Sequence, residues 1–233
     1  ADRIGCGASS RNTGMVGPGV GQDLLALVRR LGTDAAESLY RQTLHAVTQL
    51  FELIAAEHIE CDASLTGQIY WARSSAARRR LAAQAAWLGA RGLPCEPLSG
   101  DALQHCVRLP APATQVDARP VALRLPVAGV VDPGKLVAGL ADAAHRRGAC
   151  LYERSRVLAL SSGSNGAGVC LTLEGGATVI ADQAMLATAG YTAALGWFRG
   201  RVIPMRLQAL ATDPIPAALL AQIGWAKREG IVE

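Results

Sequence analysis

The run Gly7-Ala8-Ser9-Ser10-Arg11-Asn12-Thr13-Gly14 packs small residues, hydroxyls and an Arg-Asn pair into one short stretch. That combination suits a chain that hugs a bulky anionic ligand. Small side chains let the backbone approach, hydroxyls donate hydrogen bonds, and a guanidinium supplies opposite charge. Gly5-Cys6-Gly7-Ala8-Ser9-Ser10 also comes within one residue of the GxGxxG dinucleotide fingerprint, which must follow a strand and open a helix. No apolar strand precedes it, and Arg11 to Gly21 holds four glycines and Pro18, too broken for a helix. The stretch therefore reads as a loop near an anion, with a plain Gly-rich turn as the alternative.

A second near-motif lies at Gly129-Val130-Val131-Asp132-Pro133-Gly134-Lys135-Leu136, which has the spacing of a phosphate-binding P-loop. Its last position decides against that reading, because a Ser or Thr must hold Mg²⁺ there and Leu136 cannot. Pro133 also removes one of the amides such a nest needs. The plainer expectation is a strand, a turn and a well-capped helix. No Ser/His/Asp or Cys/His arrangement stands out, and His45 reads as an ordinary helix-surface histidine.

These residues need a scaffold, and the composition supplies one. A chain of 233 residues that is 50% hydrophobic can bury a sizeable core as one large domain or two interleaved ones. The net charge of +4 is compatible with anionic small molecules. Nucleic acid is not expected: aromatics are 4% of the chain, and the basic run Arg78-Arg79-Arg80 reads as a solvated helix face. The cysteines Cys6, Cys61, Cys95, Cys106, Cys150 and Cys170 show no CxxC pair or metal spacing, so neither zinc nor a disulfide framework is expected. A reduced cytosol fits them. No apolar run approaches the ~20 residues of a membrane span, and no secretory signal is visible, so the expected location is cytoplasmic.

Along the chain, Asp23 caps a short helix ending near Leu31. A longer helix follows, with Asp34 and Glu37 as a capping box and a core stripe of Tyr40, Leu44, Val47, Phe51 and Ile54. Gly67 to Trp71 reads as a strand, Ser74 opens a helix to about Ala90, and Ser99 caps one further turn. Between Leu109 and Pro126, four prolines predict a loop crossing with an edge strand at Val121 to Leu125. Asp132, Pro133 and Gly148 frame a helix over Lys135 to Arg147. Strands are then expected at Ala149–Glu153, Arg156–Leu160, Val169–Leu173, Thr178–Ala181 and Gln183–Thr188. One helix feeding several strands predicts an α/β fold with α+β mixing.

Taken in order, these pieces resemble the D-amino-acid-oxidase superfamily of FAD-dependent amine and amino-acid oxidoreductases. The run from Ala8 to Gly14 is similar to the family's Ala-Ser-Gly-Arg-Asn-Gly-Gly, found in gamma-glutamylputrescine-oxidase-like members. Gly129 to Leu136 resembles the stretch that returns the chain to the FAD domain. Arg156 to Leu160 resembles the strand whose valine backbone meets the adenine, at Val157. Ala181 to Tyr191 resembles a strand ending in Ala-Thr-Gly or Ala-Thr-Asn. Ala209 to Ile215 resembles a substrate-domain strand, and Ile223 to Gly230 the stretch that follows it.

The resemblance implies an incomplete FAD-binding Rossmann-like domain (1–32 and 129–197) interleaved with a helix-and-sheet substrate domain (33–128 and 198–233). Residue 1 would fall just past the acidic end of the second strand. The GxGxxG unit would then lie before this chain, and a closing Gly-Gly segment after it. The cofactor would be FAD, met by Ala8, Ser9, Arg11, Asn12, Thr13, Gly14, Val157, Thr188, Ala189 and Gly190. Ser10, Thr13 and Ala189 depart from the pattern by standing where the family has smaller or more permissive residues. The implied reaction is oxidation of an amine or amino-acid C–N bond to an imine, with O2 as electron acceptor. A non-catalytic fragment, or another FAD-domain dehydrogenase or hydroxylase, is the alternative. Tyr70, Arg73 and Arg206 are polar candidates of the substrate domain, and none is assigned as catalytic.

Overall fold

The computed structural model describes residues 2–109, 121–163, 168–196, 198, 200–203, 205 and 208–233. It is a mixture of helix and sheet. The order is β1 (Met15–Val16), α1 (Leu24–Leu31), α2 (Thr33–Ala56), β2 (Gln68–Trp71), α3 (Ser75–Gly89), β3 (Glu96–Leu98), α4 (Gly100–Cys106), β4 (Ala122–Leu125) and β5 (Gly129–Val130). After these come α5 (Pro133–Arg146), β6 (Val157–Ser162), β7 (Val169–Leu173), β8 (Thr178–Ala181), α6 (Ala217–Ile223) and β9 (Gly230–Val232).

Local signals in the sequence account for the helix starts. The carboxylate of Asp23 accepts from the amide of Ala26, and the hydroxyls of Ser74 and Ser99 accept from Ala77 and Ala102. Asp132 accepts from Gly134 and Lys135, with Pro133 opening the helix where its missing N–H costs nothing. The capping box does not form. Gly32 occupies the N-cap of α2 without a side-chain bond, and Glu37 pairs instead with Arg41 at 2.8 Å and Arg91 at 3.3 Å. A charged partner on each side outcompetes a return bond to the backbone. The helix capped by Ser99 also runs past one turn, to Cys106.

Four strands in the order β3-β4-β2-β9 form the principal sheet, antiparallel except where β2 and β9 run parallel. Val121 to Leu125 was expected at an edge but is an inner strand, paired on both sides. Proline is excluded from a ladder only where its missing N–H is needed. Here Pro120 and Pro126 flank the strand in sequence and leave β4 proline-free. Strand alternation sends residues to two cores. Leu123 and Leu125 join Leu81, Leu88 and Tyr40 under α1, α2 and α3 on one face. Ile69 and Ala122 join Leu103 and Val107 of the α4 side on the other. Arg79 and Arg80 are exposed, as expected of a solvated face, but Arg78 belongs to this packing and is buried. It shares a helical stripe with Leu81, Ala85 and Leu88, so its aliphatic stem lies against the core.

A two-stranded ribbon pairs β1 with β5, with Met15 opposite Val130. A third cluster of Ile54, Ile59, Cys61 and Val131 ties this ribbon to α2 and α5. Beyond α5, β6, β7 and β8 form an antiparallel meander. Three expected strands are not formed: Ala149–Glu153 is irregular and ends in a turn, and Gln183–Thr188 and Ala209–Ile215 are irregular. Apolar alternation permits a strand, but a ladder needs a neighbour to take its N–H and C=O groups. Among the described residues no strand lies alongside these three segments.

Candidate functional site

The stretch from Gly7 to Gly14 is a closed loop rather than a fingerprint helix. Its core is a short 3-10 turn over Ala8–Ser10. Asn12 locks the turn from inside the loop: its amide donates to Ala8 O at 3.2 Å and Ser9 O at 2.9 Å, while its carbonyl accepts from the Gly14 amide at 2.8 Å. The Arg11 guanidinium donates to Cys6 O, and the Ser10 hydroxyl donates to Gly5 O and to Gly7 O. Asn12 thus spends its polar atoms on the loop itself. Backbone hydrogen bonding at Arg3 and then Asp2 draws the Cys6 thiol below its ordinary pKa.

The loop is anchored at its far end. Gly14 O accepts from the Val131 amide at 2.9 Å, and Gly14 has φ of +69°. A Cβ at Gly14 would sit 2.0 Å from Val131 O, so only glycine fits there. This pins the loop beside the start of α5, against which its 3-10 turn packs. At the near end, Ile4 N donates to Glu153 Oε1 at 2.7 Å and Arg154 N to Asp2 O at 3.0 Å. Lys135, the lysine of the P-loop-like spacing, is engaged with Asp62 at 2.6 Å, which raises its pKa through that hydrogen bond.

The loop's outer face is open. Ala8, Ser9 and Thr13 are exposed, and a Cβ at Gly7 would meet nothing within 4 Å. Small side chains and the Ser9 and Thr13 hydroxyls line this face. The other expected residues form a second group. Val157 opens β6, and β6 packs against the 3-10 turn over Ala189–Leu195. Thr188 Oγ1 lies 2.8 Å from Thr192 Oγ1, and the Thr192 hydroxyl donates to Ala189 O at 2.7 Å. Ala189 has φ of +44°, a conformation that glycine or asparagine adopts more easily. Among the described residues no hydrogen bond joins this group to the opening loop.

Two cavities border this scaffold. One of about 380 Å³ lies between α1, α2, α3 and the principal sheet, lined by Tyr40, Tyr70 and Leu125 among others. The other, of about 640 Å³, connects Thr13 and the β1/β5 ribbon with Trp225, Glu229 and Ile231. Of the polar candidates, Tyr70 lines the first cavity, and burial pushes its phenol pKa up. Arg73 pairs with Glu233 at 3.2 Å and lies over the Trp71 ring at 5.4 Å. Arg206 lies outside the described residues. The sequence reading missed Glu229, which is fully buried and sits beside the opening loop's cavity. Nothing in the run Trp225 to Gly230 distinguishes this acid from an exposed one.

A profile of the family described as DAO, FAD dependent oxidoreductase, matches residues 1–232. The chain belongs to this family. Its cofactor is accordingly FAD. No curated protein matches the chain. Among solved structures, glycine oxidase from Geobacillus kaustophilus is similar at 26% identity and a TM-score of 0.59, over 84% of this chain and 49% of that one. L-amino acid deaminase from Proteus vulgaris shares the fold at 16% identity and 0.56, over 84% and 42%. L-proline dehydrogenase from P. horikoshii does so at 16% and 0.53, over 67% and 40%. The chain therefore spans half or less of the length of these three proteins. No helix among the described residues is long and apolar enough to cross a membrane.

Proposed function

We propose that this chain takes part in FAD-dependent oxidation of the C–N bond of an amine or amino acid to an imine, with O2 taking the electrons and leaving as hydrogen peroxide. The observation that carries the reading is the cavity of about 640 Å³ whose wall includes Thr13 of the opening loop. A cofactor lying along that loop would border the cavity, and a substrate must touch the cofactor. FAD supplies the acceptor for the hydride leaving the carbon next to nitrogen. The chain's own work is binding and alignment.

In this reading Ala8, Thr13 and Gly14 let the backbone come close to the cofactor, and the Ser9 hydroxyl donates to its pyrophosphate. Arg11 contributes positive charge at the same edge, and Asn12 holds the loop in shape. Val157, Thr188, Ala189 and Gly190 meet the cofactor from the β6 side. Residues 1–32 and 129–197 serve the FAD domain, and 33–128 and 198–233 the substrate domain. The run Ala8 to Gly14 favours a gamma-glutamylputrescine-oxidase-like member over other amine oxidases. The scattered cysteines suit work in the cytoplasm. Small amines and amino acids are the substrate class, in keeping with the similarity to glycine oxidase and L-amino acid deaminase.

The test has two steps. The purified chain is titrated with FAD and followed by visible absorbance; saturable binding supports the reading, and protein that stays colourless contradicts it. The FAD-loaded protein is then given a panel of amines and amino acids with a peroxide readout. Peroxide released with a subset of them is expected. Turnover with an artificial dye but no peroxide would make it a dehydrogenase instead.

A further inference from the structure

The cavity of about 380 Å³ is a second pocket, which the oxidation reading does not use. It shares no lining residue with the cavity beside the opening loop. Its floor is buried and apolar, with Leu24 and Leu27 of α1, Leu81 of α3 and Leu125 of β4. Tyr70 and Trp71 of β2 add half-buried aromatic rings to the wall. The cavity opens to solvent, since its lining also includes the exposed segment from Gly19 to Asp23. That segment is tied down: Gly19 N donates to Thr43 Oγ1 at 2.9 Å, and the Thr43 hydroxyl donates to Tyr40 O at 2.7 Å. A preformed, mostly apolar cleft of about 300–1,000 Å³ is the usual form of a small-molecule site.

The charges at its rim decide what it would take. Asp23, Arg80 and Glu233 line the cavity and are exposed. Asp23 is spent on capping α1, accepting from the Ala26 amide at 2.8 Å, and Glu233 is spent on Arg73 at 3.2 Å. Arg80 has no hydrogen bond or ion pair among the described residues. On α3 it stands one turn from Ala77 and from Gln84, which line the same wall, so its stem starts on the cavity side of the helix. The rim therefore keeps one uncommitted charge, and that charge is positive. A ligand with an apolar body and a carboxylate head would fill the floor and give the guanidinium a planar acceptor. A cationic head would find carboxylates that already have partners and a guanidinium that repels it.

We propose that this cavity is a binding site for a small amphipathic carboxylate, its apolar body seated among Leu24, Leu27 and Leu81 and its anionic head at Arg80. The site goes beyond the oxidation reading and does not rest on it. It binds; no chemical step is assigned to it.

The test is calorimetric titration of the 233-residue chain with phenylbutyrate, phenylbutanol and phenylbutylamine, which share a skeleton and differ in charge. The carboxylate is expected to bind about threefold to fivefold more tightly than the alcohol, the worth of one exposed charge pair, and the amine more weakly than the alcohol. High salt should remove the advantage of the carboxylate and leave alcohol binding in place. Arg80→Gln should do the same. Leu39→Phe, which narrows the cavity from α2, should weaken the binding of carboxylate and alcohol alike. Circular dichroism checks that both variants fold. Binding of none of the three, or alcohol binding equal to that of the carboxylate in the unmodified chain, overturns the proposal. So does a folded Arg80→Gln that keeps the preference, or a folded Leu39→Phe that binds undiminished. No readout involves flavin, so failure to bind FAD would contradict the oxidation reading alone.

Discussion

The principal sheet and the β6-β7-β8 meander are both made of short apolar strands, yet they end in different environments. In the sheet, Ile69, Ala122 and Leu123 are fully buried, because helices cover both faces. In the meander, Val179 and Ile180 on β8 are 45% and 72% exposed. Past it, Met185 and Leu210 are more than nine-tenths exposed. Alternation along a strand decides which residues share a face; burial requires a second layer to be present. Within the described residues, the first region has that layer and the second does not. The opening loop belongs to neither: Gly14 joins it to Val131 beside the β1/β5 ribbon, and its 3-10 turn packs against α5.

The sharpest way to break this contrast is truncation on each side of it. Leu123→Ala should cost about 2–5 kcal/mol, the range for emptying a well-packed core position. Ile180→Ala should cost under about 0.5 kcal/mol, as for an exposed position. Chemical denaturation of both variants measures the two, and equal losses would erase the distinction. Gly14→Ala should come next, at roughly 2–3 kcal/mol, since the new Cβ meets a backbone carbonyl and the positive φ is strained. It should also weaken FAD binding if the loop cradles the cofactor.

A smaller effect of opposite sign is expected in the second region. Ala189→Gly should raise stability by about 1 kcal/mol by relieving a left-handed residue, provided the local turn persists. Its thermal midpoint should rise by a few degrees, and an unchanged midpoint would indicate that the turn relaxes without it. The smallest effect concerns the first core. Tyr40 Oη is buried without a hydrogen-bond partner, and burial pushes its pKa well above the ordinary value of 10.0. The unfolded phenol ionises first as pH rises, so the stability this group contributes is intact below about pH 10 and is lost as pH climbs from there through the folded value. Tyr40→Phe should change neutral-pH stability by less than about 1 kcal/mol. It should also flatten the alkaline decline measured by denaturation across pH, leaving a part due to Tyr70, whose shift has the same direction.

The same contrast explains what could be read in the sequence. Caps at Asp23, Ser74, Ser99 and Asp132 depend on a side chain and an amide two or three residues on, so they were legible. The α2 stripe was legible for the same reason: Tyr40, Val47 and Ile54 are buried as their spacing requires. Pairing was not local, and the errors fall there. Val121 to Leu125 reads as an edge because its flanking prolines are local, whereas the strands that pair with it on both sides are distant in sequence. Gln183 to Thr188 looked like a strand although no ladder partner stands beside it among the described residues. The opening loop reads from composition as a loop, which it is, whereas the bonds of Asn12 within it and the contact of Gly14 with Val131 depend on how the chain folds back. Glu229 was invisible because an acid beside Arg228 and Gly230 reads as surface, and only the fold buries it.

The claim at the centre is that the loop from Gly7 to Gly14 is an edge of the FAD site. Hydrogen exchange of the chain with and without saturating FAD tests it directly. The amides of residues 7–14 and of 188–190 should exchange more slowly when FAD is bound, while those of the principal sheet should be unchanged. Bound FAD with no added protection in the loop would contradict it.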